Sequence, residues 1–461
     1  MIAIDYELNP SALEPSIARF WELSAAKIRS IDNSWNPQSG APVFTAEGRY
    51  TARGWTEWTQ GFQFGSALLH YDATGEEEFL VMGRQRTLQY MAPHLSHTGV
   101  HDHGFNNVST YGNLLRLMGE GRAGADAWQK NFCELALKIS GAVQASRWTS
   151  LPSGGFIYSF NGPHSLFVDT IRSCRSLMLA HRLGHVLQGE NDLRISLLDR
   201  ALEHMLSTAA YSVYYGEGRD RWDVWGRAAH ESIFNIKDGQ YRSPGSQQGY
   251  SGRSTWTRGL AWAVLGFAEE LEFMREVADG DLEIHGGREK LENIFLRAAR
   301  ATSDHYISLA AADGIPYWDS GAPALHHLGD YGARPSDPFN IWEPVDSSAA
   351  CIAAQGLMRL GDYLMQQGRE EEGRNYFQAG LSTARSLFAE PYLSTDENHQ
   401  GLILHSLYHH PNTWDHIPTG RSVPCGESSM WGDYHARELA LYIQRLSKGG
   451  PYYTFFHTIG L

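Results

Sequence analysis

The chain has 461 residues and a formal charge of −14, from 38 basic and 52 acidic side chains. No Lys/Arg run interrupts that acidity, which argues against a nucleic-acid surface built on phosphate neutralisation. No stretch approaches the roughly eighteen consecutive apolar residues of a membrane-spanning helix. Fourteen Trp and twenty-two Tyr lean toward a ring-shaped ligand such as a sugar, because aromatic faces offer large, flat apolar surfaces.

The opening stretch, MIAIDYELNPSALEPSIARFW, lacks the basic region, apolar run and small-residue cleavage site of a secretory signal. Apolar residues then recur with a period near 3.6 around 14–30, 107–118, 126–143, 169–187, 192–213, 255–274, 288–308, 346–367, 372–388 and 429–446. In 169–187 the stripe is Ile171, Cys174, Leu177, Met178, His181 and Leu183, with Arg172, Arg175 and Arg182 off it or at its margin. Alternating strand patterns are few and short, such as SGGFIYSF at 153–160. Gly-, Pro-, Asp- and aromatic-bearing loops fill 215–227, 237–254, 313–345 and 389–428, and the last two are long enough to carry a function. Cys133, Cys174 and Cys351 fall in apolar helical patterns and Cys425 in the loop-like PCGESS. None has metal-site spacing, so a reducing, cytoplasmic setting is expected. No strict repeat is present. The expectation is one all-α domain over 1–461, its hairpins set in a closed ring; two side-by-side helical domains are the alternative.

Acids, imidazoles and aromatics cluster in a few places. In VHDHGF (100–105), Asp102 stands between His101 and His103. It reads either as the cap of a helix starting near 107 or as an acid held beside two imidazoles. Asp169, after FNGPHSLFV, is likewise an N-cap or one half of a carboxylate pair whose members split into proton donor and charged partner. The stretch QGYSGRSTWTRGLAWAVLGF (248–267) places Arg258 and Trp262 four apart on one helical face. A guanidinium beside an indole suits a ring bearing a carboxylate, or is a packing pair. His230 in AAHESI is a satisfied structural histidine or a ligand contact. Asp346 has the look of a helix cap, while Asp319, Glu427, Trp431 and Asp433 are loop-rim candidates.

Taken together, HDHGF, the aspartate of VDTIRSCRSLML, the histidine of AAHESI, the 248–267 stretch, VDSSAACIAAQGL and CGESSMWGDYHARELAL resemble the unsaturated glucuronyl hydrolases of glycoside hydrolase family 88. The matches keep their order along the chain, and the 248–267 portion is the most specific. The resemblance implies an (α/α)6 barrel and removal of a non-reducing-end 4,5-unsaturated uronic acid from lyase-generated oligosaccharides. It further implies Asp169 as general acid/base, Asp102 as its carboxylate partner, His230 and Gln248 near the uronate, and Arg258 and Trp262 along the sugar subsite. His101, Trp148, Trp222 and Trp225 are further substrate-binding candidates. The expected partner is an oligosaccharide ending in a 4-deoxy-hex-4-enuronosyl unit; no cofactor, metal, nucleic acid or membrane is called for.

Two departures bear on substrate preference. Leu260 stands where relatives commonly carry Gln, and the 214–229 segment looks long and holds Arg219, Arg221, Trp222 and Trp225. The rival readings are an unsaturated rhamnogalacturonyl hydrolase, an inverting hydrolase of saturated uronides, a non-catalytic sugar-binding helical protein and a purely structural scaffold.

Overall fold

The structure, a computed structural model, describes residues 1–53 and 57–460. Twelve long helical segments run along them. These are α1 (Glu14–Ser34), α2 (Gln60–Thr74), α3 (Glu77–Tyr90), α4 (103–119), α5 (Ala127–Ser146), α6 (170–182), α7 (Leu197–Ser207), α8 (Thr257–Met274), α9 (Arg288–Leu309), α10 (Ser347–Gln366), α11 (Glu370–Leu387) and α12 (Met430–Ser447). The even-numbered helices form an inner ring. Each packs on the next, α2 on α4, α4 on α6, α6 on α8, α8 on α10 and α10 on α12, and α12 closes onto α2. The odd-numbered helices cover them from outside, and the result is an (α/α)6 toroid.

The chain enters every inner helix from the same end. Asp102, Asp169, Trp256, Asp346 and Ser429 sit at the N-caps of α4, α6, α8, α10 and α12. That end therefore gathers six helix N-termini, each a source of unpaired amides and partial positive charge.

Helices α2 and α3 have no counterpart among the expected segments. QGFQFGSALLHYDAT is apolar or small nearly all round, and its residues 60–72 are buried, so no polar face marks the period. The margin placement of Arg172 and Arg175 is corrected as well. Both are almost completely buried, because an inner helix has no solvent side. Arg172 is compensated by Glu269 of α8, at 2.9 Å, and Glu438 of α12, at 2.7 Å. All four cysteines are buried and free.

Among the described residues nine short strands lie in the connections: β1 (Pro42–Ala46), β2 (Arg49–Ala52), β3 (Trp148–Leu151), β4 (Gly154–Ile157), β5 (Ser165–Phe167), β6 (Val186–Gln188), β7 (Arg194–Ser196), β8 (Glu231–Phe234) and β9 (Tyr241–Gly245). Strands β5, β8 and β9 form an antiparallel sheet in that order, pairing Phe167 with Glu231. This pairing brings the residue before Asp169 to His230, whose carbonyl accepts the Val168 amide at 2.9 Å. No helix among the described residues is long and apolar enough to cross a membrane.

Candidate active site

A cavity of about 530 Å³ opens where the inner N-termini converge, within the size range of small-molecule sites. Its floor holds the buried residues His101, Asp102, Asp169, Trp256, Arg258 and Trp262; its mouth is lined by Glu57, His97, Phe160, Asn412 and Trp414, with Gln247, Gln248 and His409 between.

Local packing joins the two acids. Gly104 is required for close approach: a Cβ there would stand 2.3 Å from the Ser173 carbonyl oxygen of α6. Ser173 Oγ donates to the His101 carbonyl at 2.6 Å and accepts the Gly104 amide at 2.9 Å, while Gln144 of α5 donates to the same carbonyl. The start of α4 is thus fastened to α6. His101 lies between the carboxyls, its Nε2 3.8 Å from Asp102 Oδ1 and 3.8 Å from Asp169 Oδ1.

Both aspartates occupy N-cap positions, yet neither side chain makes a capping hydrogen bond. Asp346, at the equivalent place on α10, does cap: its carboxylate accepts from the Ser348 amide and from Arg258 at 2.7 Å. The contrast sets Asp346 apart: it caps its helix, and Asp102 and Asp169 do not.

Protonation is unevenly shared. Burial pushes the Asp102 carboxyl up to about 6, with the Asp169 charge adding and His101 partly offsetting. Burial also works to raise Asp169, but the His101 imidazolium outweighs it and holds this carboxyl below its ordinary value. Burial opposes charge on His101, and the two carboxylates more than compensate, so its pKa is raised. Below about pH 6, Asp102 therefore holds a proton in the unliganded protein while Asp169 is ionised.

Arg258 lines the cavity between two indoles, with its guanidinium carbon 4.6 Å from the Trp256 ring and 4.9 Å from that of Trp431. Its terminal nitrogens donate to Asp346, the Leu407 and Tyr408 carbonyls and Gln248 Oε1. It orders Gln248 and the 407–408 backbone, where a direct pairing with a ligand carboxylate was expected. Trp262 forms part of the floor, packed on Phe105 at 4.8 Å.

His230 lies behind the lining, between Phe167 and Trp256. Its Nδ1 accepts the amides of Gln247 and Gln248 at 3.1 and 3.3 Å. That leaves the proton on Nε2, and burial lowers the ring's pKa to about 4. Asp319 accepts the Tyr250 amide at 2.8 Å and steadies the same loop. Asp433 is structural, bonded to Tyr50 and the Leu402 and Ile403 amides.

The remaining tryptophan candidates stand apart from the cavity. Trp148 lies under Arg200, Trp222 between Arg221 and Arg253, and Trp225 donates to Asp304 on α9. The 214–229 segment is held by Arg219 and Arg227, which both stack on Tyr214. In their place the cavity recruits Trp58, Trp256, Tyr408, His409 and Trp414, which sequence reasoning did not single out. The clustered aromatics of YHHPNTW within an unpatterned loop were the available signal.

Four buried polar atoms of lining residues have no hydrogen-bond partner among the described residues: both ring nitrogens of His101, Asp169 Oδ1 and His409 Nδ1. Buried polar atoms normally find partners, so these four are available to a polar ligand entering the cavity.

No protein-family model matches the chain. An unsaturated glucuronyl hydrolase from Bacillus sp. strain GL1 is 24% identical over 416 residues, covering 87% of this chain and 90% of that protein. An unsaturated chondroitin disaccharide hydrolase from Streptococcus pyogenes is 24% identical over 439 residues, covering 93% and 91%. The crystal structure of the unsaturated glucuronyl hydrolase from Bacillus sp. GL1 superposes with a TM-score of 0.68 at 21% identity, covering 94% of this chain and 96% of that one. That of an unsaturated glucuronyl hydrolase specific for heparin gives 0.70 at 18% identity, covering 95% and 98%. In sequence and in fold, the chain is homologous to the unsaturated glucuronyl hydrolases.

Proposed function

We propose that residues 1–461 act as one catalytic unit that removes a 4,5-unsaturated uronic acid from the non-reducing end of an oligosaccharide, by adding water across the ring's double bond. The observation that carries this reading is the pair of non-capping carboxyls bridged by His101 on the cavity floor. Asp102 stores a proton up to about pH 6 while Asp169 is ionised at 3.8 Å from the imidazolium. Six helix N-termini facing the same floor favour the uronate's carboxylate there despite the chain's net charge of −14.

The chemistry follows from the substrate class. The C4=C5 bond is a vinyl ether conjugated to a carboxylate. A proton delivered to C4 places positive charge on C5, which the ring oxygen shares. Water adds at C5 and gives up a proton; the hemiketal opens, and the C1–aglycone bond breaks with proton transfer to the leaving oxygen. Asp169 is the proposed donor and later acceptor. When substrate displaces water, separated charges become costlier, which favours transfer of the His101 proton to Asp169 as a neutral pair. Asp102 keeps the site's second proton close. A positioned proton transfer of this kind contributes about 10²–10⁴ in rate.

The test mixes purified protein with lyase-made disaccharides and follows the ultraviolet absorbance of the conjugated double bond. Loss of absorbance with release of the second sugar supports the reading. Asp169→Asn is expected to lower turnover by at least about 10²-fold with an unchanged circular-dichroism spectrum. Undiminished turnover in that variant refutes the assignment of Asp169, and binding without turnover in the wild type identifies a lectin.

A further inference from the structure

The floor of the cavity and its mouth differ in what they offer an anion. The floor has His101 and the helix N-termini. The mouth, where the sugar after the uronate must lie, has the half-exposed carboxylate of Glu57 facing His97 at 3.8 Å, the Asn412 side chain, and the rings of Phe160 and Trp414. Among the described lining residues Arg258 is the one arginine or lysine, and its terminal nitrogens are engaged by Asp346, two carbonyls and Gln248. The nearby Arg147 donates to the Thr98, Tyr158 and Ser159 carbonyls, which clamps the loops on either side of the mouth. Glu57 also acts over distance: its charge is among those that raise Asp102.

Resting on the proposed glucuronyl hydrolase activity, we propose that the aglycone sugar is uncharged, and that Glu57, in a mouth without a free arginine or lysine among the described lining residues, disfavours a sulfated one. A sulfate on that sugar meets no lysine or free arginine among the described lining residues, lies inside the field of the Glu57 carboxylate and is close to ionised Asp169. Like charges brought together without a counter-ion lower affinity and select against the wrong ligand. Phe160 and Trp414 supply ring surface, which serves a neutral pyranose as well as a sulfated one, so the discrimination is electrostatic.

The experiment compares kcat/KM for two unsaturated uronosyl–hexosamine disaccharides that differ only by a 6-O-sulfate on the hexosamine. The expected result is a value roughly 30-fold or more lower for the sulfated substrate at low salt, narrowing as ionic strength rises. In Glu57→Gln the ratio of the two values moves toward unity, and in Glu57→Lys further. Circular dichroism and an unchanged melting temperature report that each variant is folded. Equal or faster turnover of the sulfated disaccharide, or a ratio unmoved by Glu57→Lys, overturns this inference alone. Failure to turn over either disaccharide refutes the hydrolase reading itself, and this inference falls with it.

Discussion

Replacing Asp102 by Asn removes an ionisable group that the fold itself disfavours. Its carboxyl is displaced from 3.8 to about 6, mainly by burial, and the residue is only 6% exposed, so solvent screening warrants little discount. Below the unfolded value both states are protonated and the group is neutral toward stability. As pH rises through about 6 the unfolded chain has already released its proton, and the folded chain must either keep it or bury a charge. The wild type therefore loses stability across that window. Two units at about 1.4 kcal/mol each give about 3 kcal/mol by pH 8. With an unfolding entropy near 2 cal/mol/K per residue over 461 residues, this amounts to about 3 °C in melting temperature. Asp102→Asn keeps the shape and escapes the cost. Thermal melts of both proteins at pH 4 and pH 8 read the effect: the variant gains on the wild type by about 3 °C between the two, while its turnover drops. A variant less stable than the wild type at pH 8, or a difference independent of pH, refutes the account of a proton held by burial.

The same carboxyl governs the expected pH profile: kcat/KM falls as pH rises through about 6 because the site loses its stored proton, and initial rates in Asp102→Asn lack that limb. Gly104→Ala inserts a Cβ 2.3 Å from the Ser173 carbonyl, so α4 is forced off α6; a loss of about 10-fold or more in kcat and a lower melting temperature are expected, against no change if the contact is incidental. Arg258→Lys keeps the charge but not the fork that reaches Asp346, two carbonyls and Gln248; a higher KM is expected from steady-state kinetics, with a smaller change in kcat.

How far these features could be read from the chain depended on whether a residue's role was local or collective. Most helices were legible on both rings: the expected 126–143, 288–308 and 372–388 match α5, α9 and α11, and 255–274, 346–367 and 429–446 match α8, α10 and α12. Helix α2, buried on every side over residues 60–72, shows no polar face, and the outer helix α3 was missed although one face of it is exposed. The buried Arg172 was misplaced because the glutamates that balance it come from α8 and α12, some 97 and 266 residues away. Asp102 and Asp169 were singled out as acids at helix starts, Asp102 between two histidines. Whether they cap their helices was not legible, because that depends on the fastening of Gly104 to Ser173 on the neighbouring inner helix.

The protonation order shows the same limit at finer scale. Two acids at successive inner helix starts look alike in sequence, and their division into acid and partner came from the resemblance alone. In the fold the imidazole stands 3.8 Å from both, yet the outcome is lopsided: burial is the largest influence on each acid and prevails at Asp102, whereas at Asp169 the His101 imidazolium outweighs it. Because three coupled groups share the protons, assigning each step of catalysis to one side chain requires the paired variants, and only the sum of their charges is fixed by the unliganded site. An entering uronate adds a further negative charge to that sum. The site is thus most acidic in its free state and becomes better able to hold a proton on Asp169 once substrate is bound, which is when the vinyl ether needs it.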